Sequence, residues 1–381
     1  MTNRYRFVFA SSLAVSLLCG SAVLAAPAPV APAPLATSIS SGEEIGSLRH
    51  ARVALAMPNE KPAVNFFVPE LTAAQIEELA RLAPHVRVVS GLSREQLLER
   101  AEKAAAIDAH YLTPEFLARA KRLVWVQAMS AGVDRYIGIE GLAQRESLVL
   151  TNLRGVHGPA IADHAFGMLL TLTRDLRHYA AQQAKGVWKR AGSGTPQLAL
   201  QGRTMLVVGL GGIGTEIAQR AHGFGMRVIA TRRGDDPAPD FVSRVGRPGD
   251  LMAMLPEADV VALAVPLTPE TQGMINAEAF AAMKPSAYLI NIARGKVIDS
   301  AALISALESK RLAGACLDVT DPEPLPAESP LWRFSNVVIT PHMSAESELT
   351  YDRGWLLLKE NVRRFGGGEP LLNVVDLNAG Y

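Results

Sequence analysis

Apolar and polar positions fall in alternating blocks along this chain. Short runs of mostly apolar residues are followed by stretches with apolar residues three and four apart, the mark of strands alternating with helices. The pattern predicts strands at 52–57, 86–90, 104–108, 123–128 and 148–151. It predicts helices at 72–82, 93–103 and 113–120, with Thr72 as a possible N-cap and Thr113-Pro114 as a start signal. A longer apolar run, 159–172, reads as a buried helix. It is shorter than the roughly 20 residues of a membrane span and contains Asp163 and His164. A second alternating set follows. Strands are predicted at 204–208, 227–231, 259–266, 287–292, 313–319 and 337–340, and helices at 215–221, 277–283 and 300–308. This alternation argues for parallel sheets covered by helices, an α/β protein. A chain of 381 residues can hold two such domains.

The first residues break the pattern. Arg4 and Arg6 precede an apolar stretch at 7–18, and small residues lead up to Ala25. This reads as an export signal cleaved after Ala25, with an uncleaved membrane anchor as the alternative. A Pro/Ala-rich linker follows. The expected location is therefore outside the cytoplasm, in the periplasm. Charges nearly cancel, at a net +1, and no basic block points to nucleic acid or an anionic membrane. The two cysteines, Cys19 and Cys316, make no disulfide framework, and no metal-ligand cluster of zinc type is visible.

One strand ends in glycines with a chemical reading. Gly209, Gly211 and Gly214 follow the 204–208 strand and precede a helix. Gly209 permits a tight turn, Gly211 lets a pyrophosphate approach, and Gly214 lets helix pack on strand. The helix start that follows offers N–H groups and a positive dipole end to phosphates. With the 227–231 strand behind it, this is a βαβ unit for a dinucleotide. That strand ends in Thr231-Arg232-Arg233. A free ribose 2′-hydroxyl calls for a carboxylate there, whereas guanidiniums suit a 2′-phosphate. NADP(H) is favoured, and NAD(H) stays open.

Three polar residues sit at or just beyond carboxyl ends of predicted strands: Arg294, Glu323 and His342. Reduction of a 2-oxo acid needs a group that binds the carboxylate and polarises the ketone, and a group that gives the alkoxide a proton. Arg294 has five donors and a permanent charge for the first. His342 suits the second, because a free imidazole titrates at about 6.5. Glu323 can fix its tautomer and favour its charged form.

At these residues the chain resembles the D-isomer-specific 2-hydroxyacid dehydrogenase family. The matching stretches are Met129-Ser130-Ala131-Gly132-Val133-Asp134, the glycine turn, Val265-Pro266-Leu267-Thr268-Pro269-Glu270-Thr271, 291–295, 317–326 and 340–344. The resemblance covers nearly everything from about residue 48 onward. It implies catalytic Arg294, Glu323 and His342, and backbone N–H groups of Ala131 and Gly132 that receive the substrate carboxylate. It implies a cofactor site of Gly209, Gly211, Gly212, Ile213, Gly214, Arg232, Arg233, Val265, Pro266, Thr271, Ile292, Ala293 and Asp318, with Asp318 on the nicotinamide carboxamide. No metal is implied. Family members are two-domain proteins, usually dimers, with a Rossmann-type domain and a smaller flavodoxin-like α/β substrate domain. The implied division is 1–25 signal peptide, 26–47 linker, 48–151 substrate domain, 152–343 NAD(P)-binding domain, and 344–381 returning to the substrate domain. Within the family, the 129–134 loop and the two arginines look like NADPH-preferring glyoxylate and hydroxypyruvate reductases. Glu323 is unlike the glutamine of the formate dehydrogenases of this fold. A rival from another class is an exported, non-catalytic dinucleotide sensor on the same fold.

Overall fold

The computed structural model describes residues 63–190, 197–377 and 379–380. The expected signal peptide, the linker and the 52–57 strand lie outside the described residues. Two all-parallel sheets carry the described chain. The first contains β1 (Val64–Val68), β2 (Val86–Ser90), β3 (Ala104–Asp108), β4 (Trp125–Gln127) and β5 (Val149–Thr151), in the order β2-β1-β3-β4-β5. The apolar pattern did not single out β1. Its sequence is Val-Asn-Phe-Phe-Val, largely buried, as befits a strand covered on both faces.

The second sheet contains β6 (Thr204–Val208), β7 (Arg227–Thr231), β8 (Arg244–Gly246), β9 (Val260–Leu263), β10 (Tyr288–Asn291), β11 (Gly314–Leu317) and β12 (Val337–Ile339). Its order is β12-β11-β10-β9-β6-β7-β8. This is the Rossmann order with one further strand, and its direction reverses between β6 and β9. Register brings Val208 beside both Thr231 and Leu263. The carboxyl ends of β6, β7 and β9 are therefore level, and a crevice at that edge is where such sheets take ligands. The three-residue edge strand β8 was invisible to the pattern.

The helices show why local signals worked. The helix Ala73–Leu82 is capped by Thr72, which accepts from the Gln75 N–H, while the Gln75 side chain accepts from the Thr72 N–H. Such caps contribute about 1 kcal/mol. The helix expected over 93–103 is two elements, Arg94–Glu99 and a 3-10 turn at Ala101–Lys103. The backbone leaves the α-helical conformation at Arg100, where the chain turns into β3. The helix after the glycine turn spans Gly212–Gly223, so it starts three residues before the expected Thr215. The missing signal is ordinary: glycines at 212 and 214 lower helix propensity, yet at Gly214 there is no room for a Cβ.

Helix Gly158–Thr173 buries Ile161, Ala165, Phe166 and Leu169 beside the second sheet. A Cβ on Gly158 would lie 2.8 Å from Glu216 Cγ on the neighbouring helix. The last helix, Glu348–Gly367, belongs with the first sheet. Its Phe365 lies 5.0 Å from the Trp125 ring, which stacks at 5.0 Å on Phe66. Lys359 pairs with Glu78 at 2.7 Å, which fastens it to the Ala73–Leu82 helix.

Candidate active site

The glycine turn is built by exclusion. Gly209 has φ +99°, and a Cβ there would sit 2.7 Å from the Ala264 carbonyl oxygen. That contact brings Val265 against the turn, since its Cγ1 would be 2.9 Å from the same Cβ. A Cβ on Gly214 would lie 2.0 Å from the Gly209 oxygen, so only glycine lets the helix start here. By contrast, Gly211 faces open space. The helix that follows has Gly212, Ile213 and Gly214 in its first turn, whose N–H groups have no intrahelical acceptor. The residues present fit a pyrophosphate: an open approach at Gly211, and donors with a positive dipole end behind it.

At the end of β7, the Arg232 N–H donates to the Gly246 oxygen at 2.9 Å, which fixes the backbone. Its side-chain Nε is buried with no partner among the described residues. The carboxylate that follows is already engaged, because Asp235 pairs with Arg247. Arg247 also donates to the Gly234 oxygen at 3.4 Å. The loop thus gathers arginines and neutralises its nearest carboxylate internally.

Pro266 and Thr271 form a closed loop after β9. The Thr271 hydroxyl donates to the Pro266 oxygen at 2.6 Å and accepts from the Thr268 N–H at 2.8 Å. Its visible work is to shape the loop. Ile292 and Ala293 are buried just past β10. The fully buried Asn291 accepts from the Ala293 N–H at 3.1 Å and donates to the Arg294 oxygen at 3.0 Å, setting the turn that presents Arg294. Asn291 is a supporting residue that lies in the matching 291–295 stretch but was given no role there.

Arg294 crosses to the first sheet's side. Its Nε and Nη2 donate to Asp134 Oδ1 at 3.0 and 2.8 Å, and its Nη1 donates to the Ala293 oxygen at 2.8 Å. Burial would raise the Asp134 carboxyl, but hydrogen bonding and charge from Arg294 outweigh it and hold the group below the usual range. Gly132 lies beneath the guanidinium: a Cβ there would be 1.8 Å from Nη2. The loop around it is fastened through its carbonyls. Ser130 Oγ donates to the Gly132 oxygen and Asn152 Nδ2 to the Ala131 oxygen, both at 2.8 Å. The N–H groups of Ala131 and Gly132 have no protein acceptor among the described residues. Arg294 and these two residues are therefore brought together.

Glu323 and His342 meet as well. His342 Nδ1 is 3.0 Å from Glu323 Oε2, and the other carboxylate oxygen accepts from the Thr320 N–H at 3.0 Å. Burial raises Glu323, but the hydrogen bonds from His342 and Thr320, with the charges of His342 and Arg294, bring it below the usual range. A Cβ on Gly295 would lie 1.9 Å from the Thr320 oxygen, so the Glu323 loop crosses directly over the residue after Arg294. His342 has φ +52°, an unusual conformation for a non-glycine residue. Its N–H donates to the Asp318 oxygen at 2.8 Å.

Asp318 is almost fully buried and serves the same loop. Its Oδ1 accepts from Thr340 Oγ1 at 2.7 Å and the Met343 N–H at 3.0 Å, and its Oδ2 from the Ser344 N–H at 3.0 Å. His164 joins through Thr340 Oγ1 at 2.9 Å. Burial raises the Asp318 carboxyl, and these donors more than reverse it. The visible role of Asp318 is to hold the His342 loop. Among the described residues no group of side chains could hold a metal ion.

Comparison with known proteins places this geometry. The profile for the D-isomer specific 2-hydroxyacid dehydrogenase NAD-binding domain matches residues 166–344. A glyoxylate reductase of Pyrococcus furiosus is 39% identical over 287 residues, covering 73% of this chain and 84% of that protein. A D-isomer specific 2-hydroxyacid dehydrogenase of Xanthobacter autotrophicus, solved with NADPH and MES, superposes with a TM-score of 0.70 at 30% identity, covering 84% of this chain and all of that one. An NADPH-dependent glyoxylate/hydroxypyruvate reductase of Sinorhizobium meliloti, solved with NADP and sulfate, gives a TM-score of 0.67 at 27% identity, covering 83% of this chain and 99% of that one.

Proposed function

The chain belongs to the D-isomer-specific 2-hydroxyacid dehydrogenase family, and on that premise we propose that it reduces a small 2-oxo acid, of the glyoxylate or hydroxypyruvate kind, to the D-2-hydroxy acid. The observation that carries this reading is the assembly of Arg294 and the Glu323–His342 pair from loops after β10, β11 and β12, with Gly295 under the Thr320 oxygen. When bound, NADPH supplies the hydride for the carbonyl carbon. Arg294 and the N–H groups of Ala131 and Gly132 bind the carboxylate and fix the ketone. His342 holds Nδ1 on Glu323, which leaves Nε2 to give its proton to the alkoxide oxygen. Glu323 stays ionised, fixes the imidazole tautomer and stabilises its positive charge. The test is NADPH oxidation by the purified protein with glyoxylate, hydroxypyruvate, pyruvate and phenylpyruvate. Folded protein without turnover on any of them would move the reading to a non-catalytic dinucleotide sensor.

The coenzyme choice rests on the arginine loop and the unpartnered Arg232 Nε. Relatives solved with NADP or NADPH point the same way. Arg232→Ala is expected to raise KM for NADPH about tenfold or more while changing KM for NADH little, because a charged hydrogen bond to the 2′-phosphate is lost. Equal losses for both coenzymes would assign Arg232 a structural role instead.

The first sheet's strand order, 2-1-3-4-5, supports the flavodoxin-like label for the substrate domain. We also read the protein as an exported homodimer. Leu176, Val187 and a fully exposed Trp188 supply apolar surface for a partner. Light scattering that gives a monomer mass would remove the dimer. Arg4, Arg6 and the apolar run before Ala25 support export. N-terminal sequencing of the protein from periplasmic extract should begin at Ala26, and an intact Met1 end would favour the anchor.

A further inference from the structure

Asp134 and Arg294 approach from different sheets. Asp134 opens the short helix Asp134–Ile137 after β4, and Arg294 follows β10. Asp134 uses a single oxygen, Oδ1, to accept from both Nε and Nη2. The remaining contact of the guanidinium is the one from Nη1 to the Ala293 oxygen. A guanidinium has five N–H groups. Three are committed here, so two are left, one on each terminal nitrogen. Nε and Nη2 border the edge that Asp134 occupies. Where Ala293 takes the Nη1 hydrogen nearer Cδ, the two groups left lie end-on and form a parallel fork.

Two further observations give this fork a direction. The guanidinium rests on Gly132, which has no room for even a methyl group. The free N–H groups of Ala131 and Gly132 belong to the same loop that leads into Asp134. The pair is half-buried, with side-chain exposures of 27% for Arg294 and 30% for Asp134. Asp134 remains ionised, because Arg294 holds its carboxyl below the usual range against the effect of burial.

We propose that Asp134 is a positioning residue for substrate binding: it grips the Nε–Nη2 edge of Arg294 from the other sheet, so that the end-on fork meets a carboxylate oxygen and the keto oxygen of the incoming 2-oxo acid. The Ala293 carbonyl completes the grip. Asp134 does not touch the substrate; it decides which face of Arg294 the substrate meets. The proposal rests on the reading of Arg294 as the carboxylate-binding residue.

The test compares wild type, Asp134→Ala, Asp134→Asn and Arg294→Ala in the full chain. It reads glyoxylate kinetics with NADPH, binding of oxalate (a dicarboxylate that cannot be reduced) by calorimetry, and the Kd for NADPH. Asp134→Ala is expected to raise both KM for glyoxylate and Kd for oxalate by about ten- to a hundredfold, the usual cost of a lost charged hydrogen bond. NADPH binding should stay within about twofold, since the glycine turn and the arginine loop follow β6 and β7 and neither contacts Asp134. Asp134→Asn keeps an acceptor oxygen in place and should recover most of the loss. Unchanged KM and oxalate binding in Asp134→Ala would overturn the proposal. So would an equal loss of NADPH and oxalate binding, which would mean general damage. If Arg294→Ala turns over glyoxylate as well as wild type, the reading of Arg294 fails and the proposal falls with it. If Arg294→Ala is impaired and Asp134→Ala is not, the proposal alone fails.

Discussion

Replacing His342 with alanine is expected to lower kcat for 2-oxo acid reduction by about two to four orders of magnitude, the usual contribution of a positioned general acid. NADPH binding should survive, because the glycine turn and the arginine loop lie at β6 and β7, away from the 340–344 loop. The pH profile carries the sign of the argument. Reduction takes a proton from the His342 imidazole. It also needs an ionised Glu323, whose carboxyl is held below its usual range. The acid-side loss should therefore begin only below the ordinary carboxylate range. Glu323→Gln removes the negative partner 3.0 Å from the imidazole and disfavours its charged form. The rate of reduction should then fall. Full turnover by His342→Ala, or undiminished turnover by Glu323→Gln with chemistry rate-limiting, would remove His342 from the proton-donor role.

Arg294→Ala should cost more, because the guanidinium acts on the carboxylate and on the developing alkoxide together. Loss of a donor to a developing oxyanion costs about 10²–10³ in kcat. The lost carboxylate contacts should add about another tenfold or more in KM. The combined fall in kcat/KM is expected to exceed about a thousandfold. Arg294→Lys should recover little. An ammonium is a point charge and cannot hold Asp134 through two nitrogens while also offering a fork. Calorimetry with NADPH should show retained binding in both variants, which separates substrate effects from unfolding. If Arg294→Lys matched wild type in KM, bidentate recognition would be excluded and a simple positive charge would suffice.

The contrast between Asp318 and Asp134 shows how side-chain role depends on the fold. Both lie in stretches that resemble the family. Asp318 follows β11 and is almost fully buried, with its oxygens taken up by Thr340, Met343 and Ser344. It holds a loop whose His342 adopts a left-handed backbone. Asp134 follows β4 and reaches a residue 160 positions away. Nothing in the spacing of either aspartate distinguishes these jobs.

Local chemistry carried much of the architecture. Strands β2, β3, β6 and β7 appear at the residues their apolar runs mark, and β3 and β6 are buried throughout, as befits strands covered on both faces. Thr72 caps its helix because an N-cap needs only a side-chain oxygen and a nearby N–H. The glycine turn was legible for a similar reason: Gly214 answers a clash within the same βαβ unit, where a Cβ would lie 2.0 Å from the Gly209 oxygen, whereas the clash at Gly209 is with Ala264, after β9. The placement of Arg294, Glu323 and His342 after strands also followed from the alternation of strand and loop.

Tertiary structure decided the rest. β8 has three residues at a sheet edge, too short for a period to register. Helix Glu348–Gly367 gains its place from Phe365 against Trp125, a contact across 240 residues of sequence that no local pattern encodes. The pairing of Arg294 with Asp134, the crossing of Gly295 under Thr320 and the turn held by Asn291 likewise depend on elements distant in sequence. The sequence by itself determined most of the strands and helices and which residue types reach the carboxyl edge, because propensity, burial and glycine geometry act over a few neighbouring residues. The fold alone decided which of those side chains meet and which edge of a guanidinium remains open, because that depends on strand order and on how two sheets face each other.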